Sequence, residues 1–166
     1  MKKPPTVFRR KKSAMSAPEY LLAMLVGYLI TIVIETTVLL ALLSRRHSVR
    51  VRVFAGVWLT TCTYPVVWLV IPQVFVDAER WVLLLVAETF APVAECAIFW
   101  LAFIRPSALA PQAGCTDAAP LIGTRSAARD FAAITLANLC SFGLGEVLIE
   151  CGLFERFVTG IERRFL

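Results

Sequence analysis

The stretch that decides the fold is Leu-Leu-Ala-Met-Leu-Val-Gly-Tyr-Leu-Ile-Thr-Ile-Val-Ile-Glu-Thr-Thr-Val-Leu-Leu-Ala-Leu-Leu, Leu21 to Leu43. At ~1.5 Å of rise per helical residue, a stretch of this length crosses a hydrocarbon core of ~30 Å. It carries one charge, Glu35, near its middle. A secretory signal is not expected, since the apolar run is too long and no small-x-small cleavage site follows.

Three further blocks of the same kind lie downstream, at about 53–76, 81–104 and 131–154. The chain has 166 residues, 58% hydrophobic and 17% charged, with a mean hydropathy of +0.74. Soluble domains are typically about half apolar and a quarter charged. The expected fold is an all-α membrane protein of four transmembrane helices. A polar, basic leader over 1–18 is expected to be disordered, the bundle occupies 19–154, and a short charged tail fills 155–166. Pro65, Pro72 and Pro92 fall inside spans, where neighbouring groups can satisfy the freed carbonyls.

The formal charge is +5, from 17 Lys and Arg against 12 Asp and Glu. All four lysines lie in the first twelve residues. Basic residues beside apolar spans set topology or meet lipid headgroups, the role expected for Arg45, Arg46, Arg50, Arg52, Arg105 and Arg129. No recognition motif accompanies the charge, so nucleic acid is not an expected partner. The bilayer is the expected partner, with a second copy or a membrane complex beside it, and the expected location is a bacterial inner membrane. The cation balance across the two sides, ten against seven, favours a cytoplasmic N-terminus. A start at Met15 would make it four against seven and invert the orientation. The five cysteines show no C-x-x-C pair and read as small apolar residues.

An internal repeat is suggested by placing Glu35 on Glu95. Arg45 and Arg105 then coincide, ten residues on. Arg-Val-Phe-Ala-Gly-Val-Trp-Leu (52–59) lies over Arg-Asp-Phe-Ala-Ala-Ile-Thr-Leu (129–136). The chain reads as two pseudo-repeated helical hairpins, in a frame that sets Thr61 on Asn138. Distance from the loop arginines puts Glu35, Glu95, Thr61 and Asn138 roughly 13–15 Å deep, near mid-bilayer. Glu88 and Glu146 share a second level, roughly 25 Å in. Ala137, Ser141 and Gly145 form a small-x-x-x-small series suited to close helix approach.

A carboxylate at mid-bilayer costs about 2.5–3.5 kcal/mol on insertion scales. Two readings of Glu35, Glu88, Glu95 and Glu146 follow. They are interhelical hydrogen-bond partners of Asn138, Ser141, Tyr64 and the threonines 60, 61 and 63, or they form a polar intramembrane site with Thr61, Asn138 and Ser141 that takes up a proton, a cation or a polar substrate. An oxygen-only set would suit Mg²⁺, Mn²⁺ or Ca²⁺ rather than zinc; no other cofactor is expected, and which metal, if any, is unknown. His47, the sole histidine, is expected to be solvated in the basic loop. No catalytic constellation is visible, so enzymatic activity is not the expected role. The function expected is transport-type or ion-handling, with a non-catalytic accessory or scaffold subunit as the alternative.

The run Thr-Thr-Cys-Thr-Tyr-Pro-Val-Val-Trp (60–68) resembles a segment of small, uncharacterised bacterial four-helix membrane proteins. These show Asn-x-x-Ser/Thr-His-Pro there, one glutamate in the first span, two in the third and Asn-x-x-Ser in the fourth. Glu35, Glu88, Glu95 and the run from Asn138 to Ser141 match, over about residues 20–150. Thr61 stands for the Asn and Tyr64 for the His, so a histidine-dependent role is not implied. The resemblance implies the four-helix fold and brings no established activity.

Overall fold

The structure is a computed structural model that describes residues 17–105 and 124–165; the leader 1–16, most of the loop before the fourth span and the last residue lie outside the described residues. All the regular elements described are helices: α1 (Ala17–Leu42), α2 (Val49–Val74), α3 (Arg80–Ile104), α4 (Thr124–Glu150) and α5 (Leu153–Phe165). The first four are long and apolar enough to cross a bilayer.

Each boundary has a local cause. Ser48 caps α2, its side chain accepting from the Val51 N–H. Within α2, the segment Val66–Val70 is wound as a π-helix directly after Pro65, where the ring removes a donor and crowds the preceding turn. The Asp77–Arg80 region separates α2 from α3 as expected. The fourth helix begins earlier than the apolar block at 131 and ends sooner, at Glu150. It stops because Gly152 turns the chain with φ +65, a left-handed conformation open to glycine. Of the stretch 155–166, expected as a tail, the described residues 155–165 supply most of α5.

The four long helices form a closed ring in which α1 packs on α2 and α4, and α3 packs on the same two. Gly56 sets the α1–α2 distance. A Cβ there would lie 2.8 Å from Thr36 Cα, so the helix backbones are nearly in contact. Amphipathic α5 lies against α1 and α4, burying Val158 with Ala23 and Val26.

The distribution of polarity is the reverse of a soluble bundle. Leu21, Leu25, Leu29 and Val33 repeat every fourth residue along α1, and each is more than half exposed. Trp81, Leu85 and Val93 of α3 are exposed in the same way. Glu35, Thr60, Thr63, Glu95, Asp130 and Asn138 are buried. Apolar outside and polar inside is the arrangement a bilayer solvent favours. The architecture is that of a multi-pass membrane protein.

Candidate functional site: an acid-floored cleft closed at one end

The bundle has two unlike halves. Toward the α1–α2 loop it is filled solid by Leu39, Leu43, Leu59, Phe99, Ile104 and Ile134, packed with Ala55, Ala133 and Ala137. Toward the α2–α3 turn it opens into a cleft of about 630 Å³ that reaches mid-depth. Glu35, Glu95, Asn138, Thr60, Thr63 and Ser141 meet at its inner end; Arg80, Glu146, Ile149 and Phe154 stand at the other.

The inner end is a hydrogen-bonded layer spanning all four helices. Glu35 Oε2 accepts from Thr60 Oγ1 on α2, and Glu35 Oε1 accepts from Ser141 Oγ on α4 at 2.8 Å. Glu95 Oε1 accepts from Thr63 Oγ1 on α2 at 2.8 Å, and Glu95 Oε2 accepts from Asn138 Nδ2 on α4 at 2.7 Å. Each acid thus joins its own hairpin to the other one. Both are at most 3% exposed, and no Lys, Arg or His lies at their level among the residues lining the cleft.

The hydroxyls in this layer each have a second acceptor. Thr60 Oγ1 lies 2.8 Å from the Gly56 carbonyl, Thr63 Oγ1 lies 3.1 Å from the Leu59 carbonyl, and Ser141 Oγ lies 2.9 Å from the Asn138 carbonyl. A hydroxyl has one proton and can also accept. Beside an ionised carboxylate it donates to that carboxylate. Beside a neutral carboxylic acid it turns to the backbone carbonyl and accepts the acid's O–H. The layer therefore satisfies both protonation states without moving a helix, which lowers the cost of holding an acid at mid-bilayer.

Thr61, expected at this level, is not in the layer. It is exposed on the outer face of α2, where it donates to the Val57 carbonyl at 2.6 Å and pairs with Tyr28 Oη at 2.6 Å. Helical spacing explains the correction. Thr60 and Thr63 are three apart and share a face, while Thr61 is turned ~100° from Thr60. Counted back from Pro65, the motif Asn-x-x-Ser/Thr-His-Pro has its first position at 60, so the signal was present in the spacing. Glu146 is also differently placed. Its carboxylate takes two bonds from Arg80 Nη2, at 2.8 and 3.0 Å, in an exposed ion pair at the outer end. Glu88 lines the cleft between these levels, partly buried, and makes no hydrogen bond among the described residues.

The basic loop holds a second polar cluster, which sequence reasoning missed. Asp130 is fully buried. It accepts from Ser44 N at 2.8 Å, from Ser44 Oγ at 3.1 Å and from Arg46 Nη2, with His47 Nε2 at 3.2 Å. His47, expected to be solvated, has a side chain only 10% exposed, with its ring edge-on to Phe99 at 5.3 Å. Arg52 donates to the carbonyls of Leu40, Ser44 and His47, and Arg129 to that of Leu42. These arginines bond carbonyls of the last turn of α1, at Leu40 and Leu42, and of the loop that follows it, at Ser44 and His47. Arg46, Arg52 and Arg129 thus hold the loop together, while Arg45, Arg50 and Arg105 are exposed. The one sequence signal for this cluster was an aspartate next to Arg129 at the start of an apolar run.

Among the described residues no three His, Cys, Asp or Glu side chains form a metal-ligating group. In comparisons with known proteins, no family model, curated protein or solved structure matches this chain.

Proposed function

We propose that this chain is a small transport-type membrane protein that takes a proton or a monovalent cation to mid-bilayer through a cleft open on one side. The observation that carries the reading is the position of Glu35 and Glu95: two buried carboxyls at the blind end of a cleft, with no Lys, Arg or His at their level among the described residues. Hydroxyls able to serve an ionised or a neutral acid support it, because a carrier of protons must be stable in both forms. Intramembrane acids of this kind mark ion and proton pathways more often than they serve as filler.

The proposal includes two related hairpins. Bonds Glu35 to Thr60 and Glu95 to Asn138 lie within hairpins, and bonds Glu35 to Ser141 and Glu95 to Thr63 run between them. Thr60 and Thr63 then correspond to Asn138 and Ser141, one residue off the frame in which Arg52 lies over Arg129. Both hairpins would enter the membrane in the same sense, as parallel repeats about an axis along its normal. A second copy of the chain is part of the proposal, since four helices enclose little pathway and leave wide apolar faces.

A competing reading, a non-transporting scaffold subunit, rests on the same four hydrogen bonds. Glu95→Gln separates the two, because a Gln can accept from Asn138 and donate to the Thr63 hydroxyl. In proteoliposomes with an entrapped pH dye, the transport reading expects proton- or cation-coupled flux to fall at least tenfold while thermal stability is kept. Flux unchanged by Glu95→Gln, or no flux from the unaltered protein, gives the scaffold reading.

A further inference from the structure

We propose that the cleft binds a hydrophobic organic monocation, of the quaternary ammonium or phosphonium type. This rests on the transport reading above and names its substrate class. Four features carry it.

The first is an aromatic shelf. Tyr64 and Trp68 are one turn apart on α2, with centroids 5.7 Å apart and planes at 23°, and Tyr20 stands 5.8 Å from Trp68. All three rings line the cleft, and both ends of the shelf are fixed. Pro72 has no N–H to return to the Trp68 carbonyl, and Tyr20 Oη donates to that carbonyl instead at 2.7 Å. The Tyr64 hydroxyl sits in the space that a side chain at Gly27 would fill. Tyr64 and Trp68 cover part of each other's faces, and Tyr28 packs on Tyr64 at 5.4 Å; the ring surface that lines the cleft attracts cations through its quadrupole, most strongly where water is excluded.

The second feature is the balance of ionisable groups. Among the described residues four acidic side chains line the cleft, against one guanidinium, and that guanidinium, Arg80, is paired with Glu146. Glu88 is the lining acid without a hydrogen-bond partner among the described residues, so its carboxyl group is free to meet a guest, and a cation is the guest that favours its ionised form. The third is wall chemistry: the cleft is also lined by Ile30, Val67, Leu83, Leu84 and Phe142. A small hydrated ion gains nothing from such walls, whereas an alkyl or aryl group on the cation does. The fourth is size. About 630 Å³ is within the ~300–1,000 Å³ of pockets that enclose organic ligands.

The test uses the full chain in detergent micelles and radiolabelled tetraphenylphosphonium in equilibrium dialysis, with tetraphenylborate as an anion of the same shape. Saturable phosphonium binding is expected, without displacement by the borate. Glu88→Gln, which breaks no internal hydrogen bond, is expected to weaken binding about tenfold. Trp68→Ala is expected to weaken it roughly 3- to 30-fold, with folding checked by size-exclusion profile. Thr61→Val, on the outer face, is expected to leave affinity within twofold. Absence of saturable binding, equal binding of the borate, or full affinity in Glu88→Gln overturns the proposal. Glu95-dependent flux without phosphonium binding removes the substrate class and leaves the transport reading standing. Phosphonium binding without any flux removes transport and leaves the site.

Discussion

Replacing Asp130 with Ala tests whether the solid end of the bundle is held by one buried carboxylate. The side chain takes hydrogen bonds from Ser44 N, Ser44 Oγ and Arg46, and lies against His47. Ser44 is 7% exposed, so its N–H, once stranded, recovers little hydration and costs about 1–3 kcal/mol. Arg46 is different. Its side chain is 30% exposed, its guanidinium turns to water, and the share of the ion pair falls toward ~1 kcal/mol. The expected total is about 2–4 kcal/mol, roughly a 30- to 700-fold shift in the folding equilibrium. Asp130→Asn keeps an acceptor for the Ser44 N–H and is expected to cost about half as much. Reversible unfolding in mixed micelles titrated with sodium dodecyl sulfate gives both values. Phosphonium binding, at the other end, should persist in the folded fraction. A loss below about 0.5 kcal/mol for Asp130→Ala, or equal losses for Ala and Asn, refutes the argument that stranded donors set the magnitude.

Gly56→Ala is expected to cost about 1–3 kcal/mol in the same titration, because the new Cβ meets not only the Thr36 hydroxyl but also the α1 backbone at Thr36 Cα, which a side-chain rotation cannot relieve; a neutral effect would mean that the helices separate freely. Thr63→Val is expected to cost roughly 0.6–2 kcal/mol and to alter the pH dependence of flux, while Thr61→Val, which removes only the outer-face bonds to Tyr28 and to the Val57 carbonyl, leaves that pH dependence unchanged. Equal effects of the two valines on the pH dependence would place the polar layer on the wrong face of α2.

Much of the fold was written in the length of the apolar blocks, because a bilayer imposes both a thickness and an outer polarity. Four long helices arise where four such blocks lie, displaced by a few residues where polar groups find partners. Arg129 and Asp130 read as loop residues by charge, yet they belong to α4 since the α1–α2 loop satisfies both. Distance along the chain was enough to put Glu35 and Glu95 on one level. Choosing among Thr60, Thr61 and Thr63 needed the rotation of α2 about its axis, which apolar composition does not specify when every face of a span is apolar. The pairing of Arg80 with Glu146 and the burial of His47 depend on contacts between residues 66 and 83 positions apart. No local pattern encodes those. The helix after Gly152 was hidden for another reason: its alternation of Phe, Val and Ile with Glu and Arg is too short and too charged to resemble a span.

The knot of polar groups around Asp130 also has a consequence for biogenesis. Ser44 precedes its acceptor by 86 residues, so during synthesis the first loop leaves the translocation machinery long before the aspartate exists. Until α4 inserts, the Ser44 N–H and the Arg46 guanidinium have no carboxylate to meet. The contact exists only when the first and last spans stand side by side, so a bundle that lacks α4 leaves the Ser44 N–H and the Arg46 guanidinium without the acceptor that the complete one supplies.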